Sequence, residues 1–294
     1  MNSKGKFFFF ATSMVALTLF GACSGKKGGN VAVADAFAAD SGLVTDSVSW
    51  ADSLEFAGCK ADVTITGRYP SGGNQQLVDS VRSWVGGCLG QNMWNTDTIL
   101  FVPTAKQLKS GNTLAEACGK ALLASAENDF KGFAGDSIKV DYEYIYNFGP
   151  DFSTDKVITY FCTRYGYAGG AHGGTLFNNR TFVAANGKSL SIDNMFRPDV
   201  RAKLVKMVRT GLWEQYFKPS ADDASMTLRD MLLINPDTLP LPQCPPVFLA
   251  NGLSFIYQQY EIAPYSAGMP SCVLPYAEVK PLMTPEAADL VPEK

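Results

Sequence analysis

The chain has 294 residues, of which 46% are hydrophobic and 18% are charged, so it can bury a substantial core and is not a disordered protein. Its 25 basic and 28 acidic residues give a net charge of -3 and are interspersed along the chain, which argues against nucleic acid as a partner. One histidine and seven cysteines restrict the possible chemistry further.

The N-terminus has the layout of a secretory signal peptide. Lys4 and Lys6 precede an apolar run over residues 7–20, which is shorter than the ~20 residues of a membrane-spanning helix. The following Gly21-Ala22-Cys23 resembles a bacterial lipobox, in which the cysteine accepts a diacylglycerol and becomes the mature N-terminus. We expect a signal peptide over residues 1–22 and a lipid anchor on Cys23 that holds the chain to the membrane without crossing it; an ordinary signal peptide is the alternative.

Residues 23–53 predict a flexible tether, because they combine Gly-Lys-Lys-Gly-Gly with an irregular mixture of Ala, Asp, Val and Ser. In the lipoproteins that this N-terminus resembles, an acidic cluster after the cysteine tends to mark export to the cell surface. Lys26 and Lys27 are basic instead. We therefore expect the protein in the bacterial cell envelope, on the outer membrane and facing the periplasm.

The mature domain has six cysteines besides the one expected to carry lipid, an even number that suits an oxidising compartment. They are Cys59, Cys88, Cys118, Cys162, Cys244 and Cys272. Cys88 continues a helical apolar stripe with Val81, and Cys118 continues another with Leu114, so both should face the core. A Cys88–Cys118 disulfide between packed helices is one interpretation, and two buried free thiols are the other. No pair has the CxxC spacing of a redox or zinc motif, and we expect no metal and no cofactor.

Hydrophobic periodicity predicts the elements in chain order. They are a strand over 62–66, helices over 75–87 and 114–130, strands over 140–146 and 157–165, an antiparallel meander to 196, helices over 200–216 and 222–233, and hairpin turns at 186–187 and 251–252. Because strands and helices do not alternate regularly, we predict an α+β protein with antiparallel sheets and packed amphipathic helices. Two consecutive modules should cover residues 54–150 and 151–285, followed by a tail over 286–294.

Two strings of residues resemble a known family. They are Tyr167-Ala168-Gly169-Gly170-Ala171-His172-Gly173-Gly174 and Tyr260-Glu261-Ile262-Ala263-Pro264-Tyr265. Together they are similar to the extracytoplasmic domain of RsiV-like proteins, which occurs in a lysozyme-sensing anti-sigma factor and in many lipoproteins. Residues 56–150 resemble the module that precedes it there and that accompanies the deacetylase domain of PdaC-like peptidoglycan enzymes. The resemblance implies a pair of α+β modules and binding at the cell envelope.

The chain also departs from both kinds of protein. RsiV-like sensors have a sigma-binding segment and a membrane span, which a lipoprotein signal replaces here. PdaC-like deacetylases hold their metal with an aspartate and several histidines, whereas this chain has one histidine. We therefore expect neither sigma-factor release nor deacetylation, and we predict that the protein is not an enzyme.

The candidate ligand-binding residues are His172, Tyr260, Glu261 and Tyr265. His172 in its glycine-rich turn could serve a ligand as donor or acceptor, or could bond to nearby backbone in a sharp bend. Tyrosines, here Tyr257, Tyr260, Tyr265 and Tyr276, suit the recognition of sugars or proteins and equally suit the edge of a core. Glu261 either caps backbone N–H groups or faces a ligand.

These residues favour a non-catalytic, lipid-anchored envelope protein that binds a lysozyme-like protein or a peptidoglycan-derived glycan. The excess of acidic residues would attract a basic partner. Two alternatives remain: a hydrolase that uses His172 with a nearby carboxylate such as Asp193, and a structural partner in envelope assembly. No nucleophile-elbow pattern surrounds the serines near His172.

Overall fold

The computed structural model describes residues 37–38, 40–135, 139–218 and 225–293. The predicted signal peptide, Cys23 and the first part of the predicted tether therefore lie outside the described residues. Within these ranges, no helix has the length and apolar character that crossing a membrane requires.

Alternating apolar residues build a six-stranded sheet, because one face of its central strands is buried. Its strands follow chain order from edge to edge: β1 (Phe37–Ala38), β2 (Val44–Phe56), β3 (Cys59–Gly72), β4 (Asp141–Ser153), β5 (Val157–Ala168) and β6 (Gly174–Val183). The strands predicted around residues 62, 140 and 157 are confirmed and are longer than predicted. Among the described strands, β3 and β4 form the one parallel pair, which departs from the predicted antiparallel sheet.

Two helices connect β3 to β4 and account for the parallel pair, since a crossover is needed to return the chain to the same end of the sheet. Helix α1 spans Gln75–Gly90 and α2 spans Gly111–Phe133, so both predicted helices are confirmed. Asn74 caps α1, because its side chain accepts a hydrogen bond from the backbone N–H of Gln76 at 3.0 Å. Their apolar stripes pack on the sheet and form the first core.

Part of the predicted tether is a strand. Residues 44–53 form most of β2 and pair with β3 along their length. Val48 is buried, and the ring of Trp50 lies against Gly119 of α2. Ala, Asp and Ser residues interrupt the alternation of β2, so the strand is defined by its pairing with β3 in a hairpin that begins with Phe56 opposite Cys59.

The cysteines of α1 and α2 are not bonded to one another. Cys88 and Cys118 are both buried thiols in the first core, which corresponds to the second interpretation of their pattern. The Cys118 thiol donates to the carbonyl of Leu89 at 3.5 Å. The predicted Cys88–Cys118 bridge is therefore absent from the structure, because two stripes can face one core without facing each other.

The remaining residues surround a second core with short elements. A three-stranded antiparallel sheet has the order β7 (Val247–Leu249), β8 (Gly252–Ile256) and β9 (Ser271–Pro275). The helices are α3 (Ile192–Met195), α4 (Arg201–Leu212), α5 (Leu228–Met231), α6 (Tyr276–Val279) and α7 (Pro285–Ala288), with a π-helical turn at Trp213–Phe217. The predicted hairpin at 251–252 and the predicted helix from residue 200 are confirmed. The predicted turn at 186–187 is also present, with Gly187 at φ +68. The second strand of that predicted hairpin is reduced to a single bridge between Phe182 and Ser189.

The two cores do not meet where the two modules were predicted to meet. Residue 150 lies inside β4, and β5 and β6 belong to the first sheet. Phe248 of β7 joins the sheets, since its N–H donates to Thr181 Oγ1 at 3.2 Å and its carbonyl accepts from Thr159 Oγ1 at 2.9 Å. The predicted tail is also ordered, because Val291 is buried in the second core. The α+β class is confirmed.

Candidate functional site

The turn Gln258–Glu261 is fastened to the edge of β6. The Gln258 side chain accepts from the N–H of Phe177 at 2.9 Å and donates to the carbonyl of the same residue at 2.8 Å. Gln259 accepts from the N–H of Thr175, also at 2.9 Å. Two side-chain amides thus take the place of a further strand on an edge that would otherwise present unpaired backbone groups.

Glu261 fastens the other end of this turn. Its carboxylate accepts from the backbone N–H of Gln243 at 2.8 Å and from that of Gln258 at 2.7 Å. Burial raises the pKa of the Glu261 carboxyl above its ordinary value, and the two backbone hydrogen bonds oppose part of that rise. Of the two roles expected for Glu261, the structure shows the backbone cap, so this residue positions the turn.

Tyr260 is the residue of this turn whose side chain projects outward. It has φ +65, a left-handed conformation that costs a non-glycine residue about 1–2 kcal/mol, and it is 56% exposed. Such a conformation persists where its surroundings impose it. Gln258, Gln259 and Glu261 impose it here, because their side chains are all bound to backbone groups.

Tyr260 projects toward the glycine-rich turn between β5 and β6. The ring of His172 stacks on that of Tyr265, with centroids 3.8 Å apart and planes inclined by 16°. The Tyr260 hydroxyl lies 3.5 Å from Nε2 of His172, and its ring centroid lies 5.9 Å from that of Tyr265. We call His172, Tyr260 and Tyr265 the aromatic cluster. Three of the four candidate residues are therefore brought together.

The protonation of His172 follows from its second nitrogen. Nδ1 lies 2.9 Å from the carbonyl oxygen of Gly173, and a carbonyl can only accept, so Nδ1 carries the proton. When the ring is neutral, Nε2 is then an acceptor for the hydroxyl of Tyr260, which lies 3.5 Å away. His172 thus bonds to nearby backbone, as one interpretation of its turn expected, and it also belongs to the aromatic cluster.

Glycine is required at several positions of the His172 turn. Gly169 and Gly170 have φ +84 and +90, which side-chain-bearing residues rarely adopt. A Cβ on Gly173 would overlap the ring of Tyr165. The turn is therefore a sharp bend whose shape depends on its glycines, and this bend presents the His172 ring at the surface.

The other two tyrosines considered from the sequence are structural. Tyr257 is fully buried and donates to the carbonyl of Pro240 at 2.6 Å. Tyr276 donates to the carbonyl of Leu249 at 2.6 Å. Burial raises the pKa of both hydroxyls above the ordinary value for tyrosine. Tyr257 lies inside the second core, and Tyr276 packs against that core while half-buried.

The surroundings of His172 differ from those of a catalytic histidine. In the part of the chain that the structure describes, no carboxylate forms an ion pair with His172, and no group of His, Cys, Asp and Glu could hold a metal ion. Asp193, a neighbour in sequence, pairs with Arg201 at 3.4 Å. Among the described residues, the hydrogen bonds of His172 are to the carbonyl of Gly173 and the hydroxyl of Tyr260, and none joins it to a serine, a cysteine or a carboxylate.

Two residues near the aromatic cluster were not singled out from the sequence. Tyr165 lies against Gly173 and is an electrostatic neighbour of Tyr265. Trp94 is 51% exposed, and its ring lies against Gly174. Tyr165 could have been found from the Tyr-Gly-Tyr sequence that comes just before the glycine-rich turn. Trp94 lies after α1, where no sequence motif indicated a role for it.

A separate cavity shares no lining residue with the aromatic cluster. It has a volume of about 520 Å³, lies between α4 and β9, and its charged walls comprise Lys203, Lys206, Glu214 and Glu278. Both signs of charge occur there, so the cavity does not favour an ionic ligand of one sign. The aromatic cluster remains the better candidate for binding.

Comparisons with known proteins place part of the chain in a family. Residues 193–277 match the model of DUF3298, a protein family of unknown function, so the chain carries a DUF3298 domain. This segment contains Tyr260 and Tyr265, whereas His172 precedes it. No curated protein matches the sequence.

Two crystal structures have folds similar to that of this chain. A DUF3298 family member from Bacteroides fragilis aligns with a TM-score of 0.64 and 18% identity, over 86% of this chain and 98% of the other. A DUF3298 family protein from Pseudomonas aeruginosa aligns with a TM-score of 0.56 and 16% identity, over 85% of this chain and 98% of the other. At such identities the likeness shows a shared fold, which extends well beyond the matched domain.

Proposed function

We propose that this chain is a non-catalytic binding protein of the bacterial cell envelope, anchored by lipid on Cys23, whose aromatic cluster binds a peptidoglycan-derived glycan. The observation that carries the proposal is the conformation of Tyr260. A strained, exposed tyrosine is held over His172 by three neighbours whose own side chains are bound to backbone groups. Strain of this kind is concentrated at binding and catalytic sites.

The chemistry of the cluster suits a sugar. Aromatic rings offer flat apolar faces to the C–H face of a pyranose, and tyrosine hydroxyls add hydrogen bonds at the ring edges. The stacking of His172 on Tyr265 and the fastening of the Tyr260 turn fix these rings before a ligand arrives. A preorganised surface loses less conformational entropy on binding.

Binding without catalysis agrees with the surroundings of His172. Its Nδ1 is bonded to a backbone carbonyl and its Nε2 faces a tyrosine hydroxyl, so neither nitrogen is positioned to activate a described serine or cysteine. The resemblance of residues 56–150 and of the two sequence strings to RsiV-like and PdaC-like proteins supports an envelope ligand. The lipobox-like Gly21-Ala22-Cys23 supports an anchor on the outer membrane, facing the periplasm.

A pull-down with insoluble peptidoglycan tests the ligand. The chain with Cys23→Ser, which avoids acylation, should sediment with peptidoglycan and should be displaced by soluble fragments made of its disaccharide. Tyr265→Ala should weaken this binding at least about tenfold, or ~1.4 kcal/mol. Val102→Ala is the control, because Val102 is 74% exposed but lies in the loop between α1 and α2. Equal sedimentation of both variants would contradict the proposal.

A lysozyme-like protein is the second candidate ligand, favoured by the resemblance to RsiV-like proteins and by the net charge of -3. Lysozyme is basic, so its binding should weaken steeply as salt is added, whereas stacking of a sugar on rings should not. Titration of the same variants with lysozyme at two salt concentrations measures this salt dependence and distinguishes the two candidate ligands.

The anchor has its own test. Mass spectrometry of the chain extracted from membranes should show a diacylglycerol-modified cysteine at position 23 as the first residue. Cys23→Ser should release the protein into the soluble envelope fraction. Recovery of both forms in the soluble fraction would contradict the lipid anchor and leave the glycan-binding proposal standing.

A further inference from the structure

His172 carries the one imidazole of the chain. Histidine is the side chain whose charge ordinarily changes between about pH 5 and pH 8. His172 is exposed in its glycine-rich turn, so its ring is open to solvent and to a ligand. Any change of histidine charge in this protein therefore takes place within the aromatic cluster.

One atom of this ring gains the second proton. Nδ1 lies 2.9 Å from the carbonyl oxygen of Gly173 and already carries a hydrogen. Nε2 is the nitrogen that takes the next proton, and it lies 3.5 Å from the hydroxyl oxygen of Tyr260. Protonation thus occurs at the atom that faces the most exposed ring of the cluster.

Protonation reverses the hydrogen bond between His172 and Tyr260. With a neutral imidazole, the Tyr260 hydroxyl donates to Nε2 and offers a ligand only the lone pairs of its oxygen. With a charged imidazole, Nε2–H donates to the Tyr260 oxygen, and the hydroxyl hydrogen is released to donate elsewhere. The exposed hydroxyl of the cluster therefore changes from an acceptor into a donor.

The stack with Tyr265 suits a charged ring. The two centroids are 3.8 Å apart, and the planes are inclined by 16°. The face of an aromatic ring attracts a cation that lies within about 6 Å of its centroid. The imidazolium is therefore held in the same position as the neutral ring, and the cluster keeps its shape when the charge appears.

The titratable groups on the neighbouring elements add no positive charge. They are the phenols of Tyr260 and Tyr265 after β8 and, on β5, the phenols of Tyr165, against Gly173, and Tyr167, which donates to the carbonyl of Gly170 at 3.0 Å. Protonation of His172 is thus the event that makes this group of rings cationic.

Two carboxylates lie on the same elements, and neither neutralises His172. Glu143 of β4 is opposite Tyr167 in the sheet, and Glu261 accepts hydrogen bonds from two backbone N–H groups. In the ranges that the structure describes, His172 forms no ion pair with a carboxylate. The charge of a protonated His172 is therefore available to a ligand.

We propose that His172 makes the aromatic cluster selective for a glycan whose sugar carries a carboxylate, such as the muramic acid of peptidoglycan strands that have lost their stem peptides. The inference rests on the proposed binding of glycan by this cluster. A carboxylate can only accept hydrogen bonds, so it gains both from the imidazolium charge and from the released hydroxyl of Tyr260. It remains ionised in mild acid, because a carboxyl group ordinarily titrates near ~4. Binding of such a sugar therefore tightens as the pH falls through the titration of His172.

Calorimetric titration with two disaccharides tests this selectivity. The peptidoglycan disaccharide of N-acetylglucosamine and N-acetylmuramic acid carries the carboxylate, and diacetylchitobiose is its counterpart without it. The affinity of the Cys23→Ser chain for the acidic disaccharide should rise at least about fivefold between about pH 8 and about pH 5.5, because opposite charges attract at contact. The affinity for diacetylchitobiose should stay nearly constant.

Two variants assign the effect to His172. His172→Gln has a polar side chain that stays neutral, so it should lose the rise in acid while it still binds diacetylchitobiose. Glu143→Gln is the matched control, because it removes a titratable group on β4 and should keep the rise. Loss of the rise in Glu143→Gln, or its persistence in His172→Gln, would overturn the inference.

NMR of the untagged chain measures the same linkage without relying on a variant. The imidazole signals belong to His172, since the chain has one histidine. A ligand that prefers the protonated ring must raise the midpoint of its titration. The acidic disaccharide should therefore raise the midpoint, whereas diacetylchitobiose should leave it unchanged.

The outcomes separate this inference from the proposed function. An unchanged midpoint with the acidic disaccharide, or the same pH dependence for both ligands, would overturn the selectivity and leave glycan binding in place. Binding of neither disaccharide at either pH would overturn both.

Discussion

His172 and Tyr265 stack face to face across the boundary between the two cores. His172 belongs to the turn between two strands of the first sheet, and Tyr265 begins a one-turn helix, Tyr265–Ala267, that follows the Gln258–Glu261 turn. The stack therefore exists only when both cores have folded. Binding at the aromatic cluster should report on the integrity of the whole protein.

The role of Tyr260 can be separated from folding by replacing it with glycine. Tyr260→Gly should weaken glycan binding at least about tenfold, because it removes an exposed ring. It should leave the free energy of unfolding unchanged or raise it by up to about 1 kcal/mol, because glycine adopts φ +65 without strain. Calorimetric titration and chemical denaturation measure the two effects. A large loss of stability would show that the ring is structural.

Two glutamine side chains each bind the N–H and the carbonyl of one strand residue, so their alanine variants can be compared directly. Gln258 binds both backbone groups of Phe177, and Gln215 binds both backbone groups of Val273 on β9, at 2.9 and 3.0 Å. Substitution of either by alanine removes both of these backbone hydrogen bonds and should cost roughly 1–3 kcal/mol of stability. Gln258→Ala also removes a weaker bond from Nε2 to the sulfur of Cys244, at 3.4 Å.

The two substitutions should differ in binding. Gln258→Ala releases one end of the Tyr260 turn and should therefore also weaken ligand binding. Gln215→Ala should leave ligand binding unchanged. Denaturation and titration of both variants provide the comparison. Similar binding by the two variants would mean that the Tyr260 turn needs no fastening by Gln258.

The pH dependence of stability should contain a contribution from Glu261. Its pKa is raised in the folded state by burial, so the folded state holds this proton more tightly than the unfolded state. The corresponding stabilisation is complete below the unfolded value of about 4.5 and is lost as the pH rises through the folded-state pKa.

Glu261→Gln should remove this part of the slope and should lower stability above the folded-state pKa, because there the amide replaces one acceptor of the carboxylate with a donor. Urea denaturation between pH 4 and pH 7 measures both effects. An unchanged slope would indicate that another group is responsible.

The contact between Trp50 and Gly119 predicts that β2 is part of the folded domain. Gly119→Ala should destabilise the protein by roughly 1–3 kcal/mol, because the added methyl group overlaps the Trp50 ring. Gly132→Ala lies on the same helix with open space around it and should be neutral or stabilising by up to about 1 kcal/mol. Thermal denaturation distinguishes them. Equal stability of the two variants would contradict the packing of β2.

The elements that could be predicted from the sequence are those whose order is local. Helices α1 and α2 carry their own apolar stripes, and the Asn251-Gly252 turn carries its own geometry. Strand β2 was missed although it forms a hairpin with β3, because its mixed Ala, Asp and Ser residues lack a clear alternation of apolar and polar positions. The boundary at residue 150 failed for a related reason: β4 continues through it, and a sheet is completed by partners that periodicity does not reveal.

The candidate site residues also divide into those that the sequence identified and those whose role only the fold revealed. Glycine, histidine and tyrosine strings directed attention to His172, Tyr260 and Tyr265, and the structure brings these three together. It also assigns Glu261 to a backbone cap, which its sequence neighbours could not distinguish from a ligand contact. A polar side chain takes its role from whichever donor or acceptor the fold brings within about 3 Å.

Sequence alone determined the α+β class, most helices and strands, and the residues of the aromatic cluster, since composition and periodicity act through neighbours along the chain. Tertiary structure alone decided that Phe248 of β7 joins the two sheets, that Glu261 caps the backbone N–H groups of Gln243 and Gln258, and that the Gln258–Glu261 turn holds Tyr260 outward. These outcomes depend on contacts between distant segments. Such contacts arise only when the apolar faces of both cores are buried together.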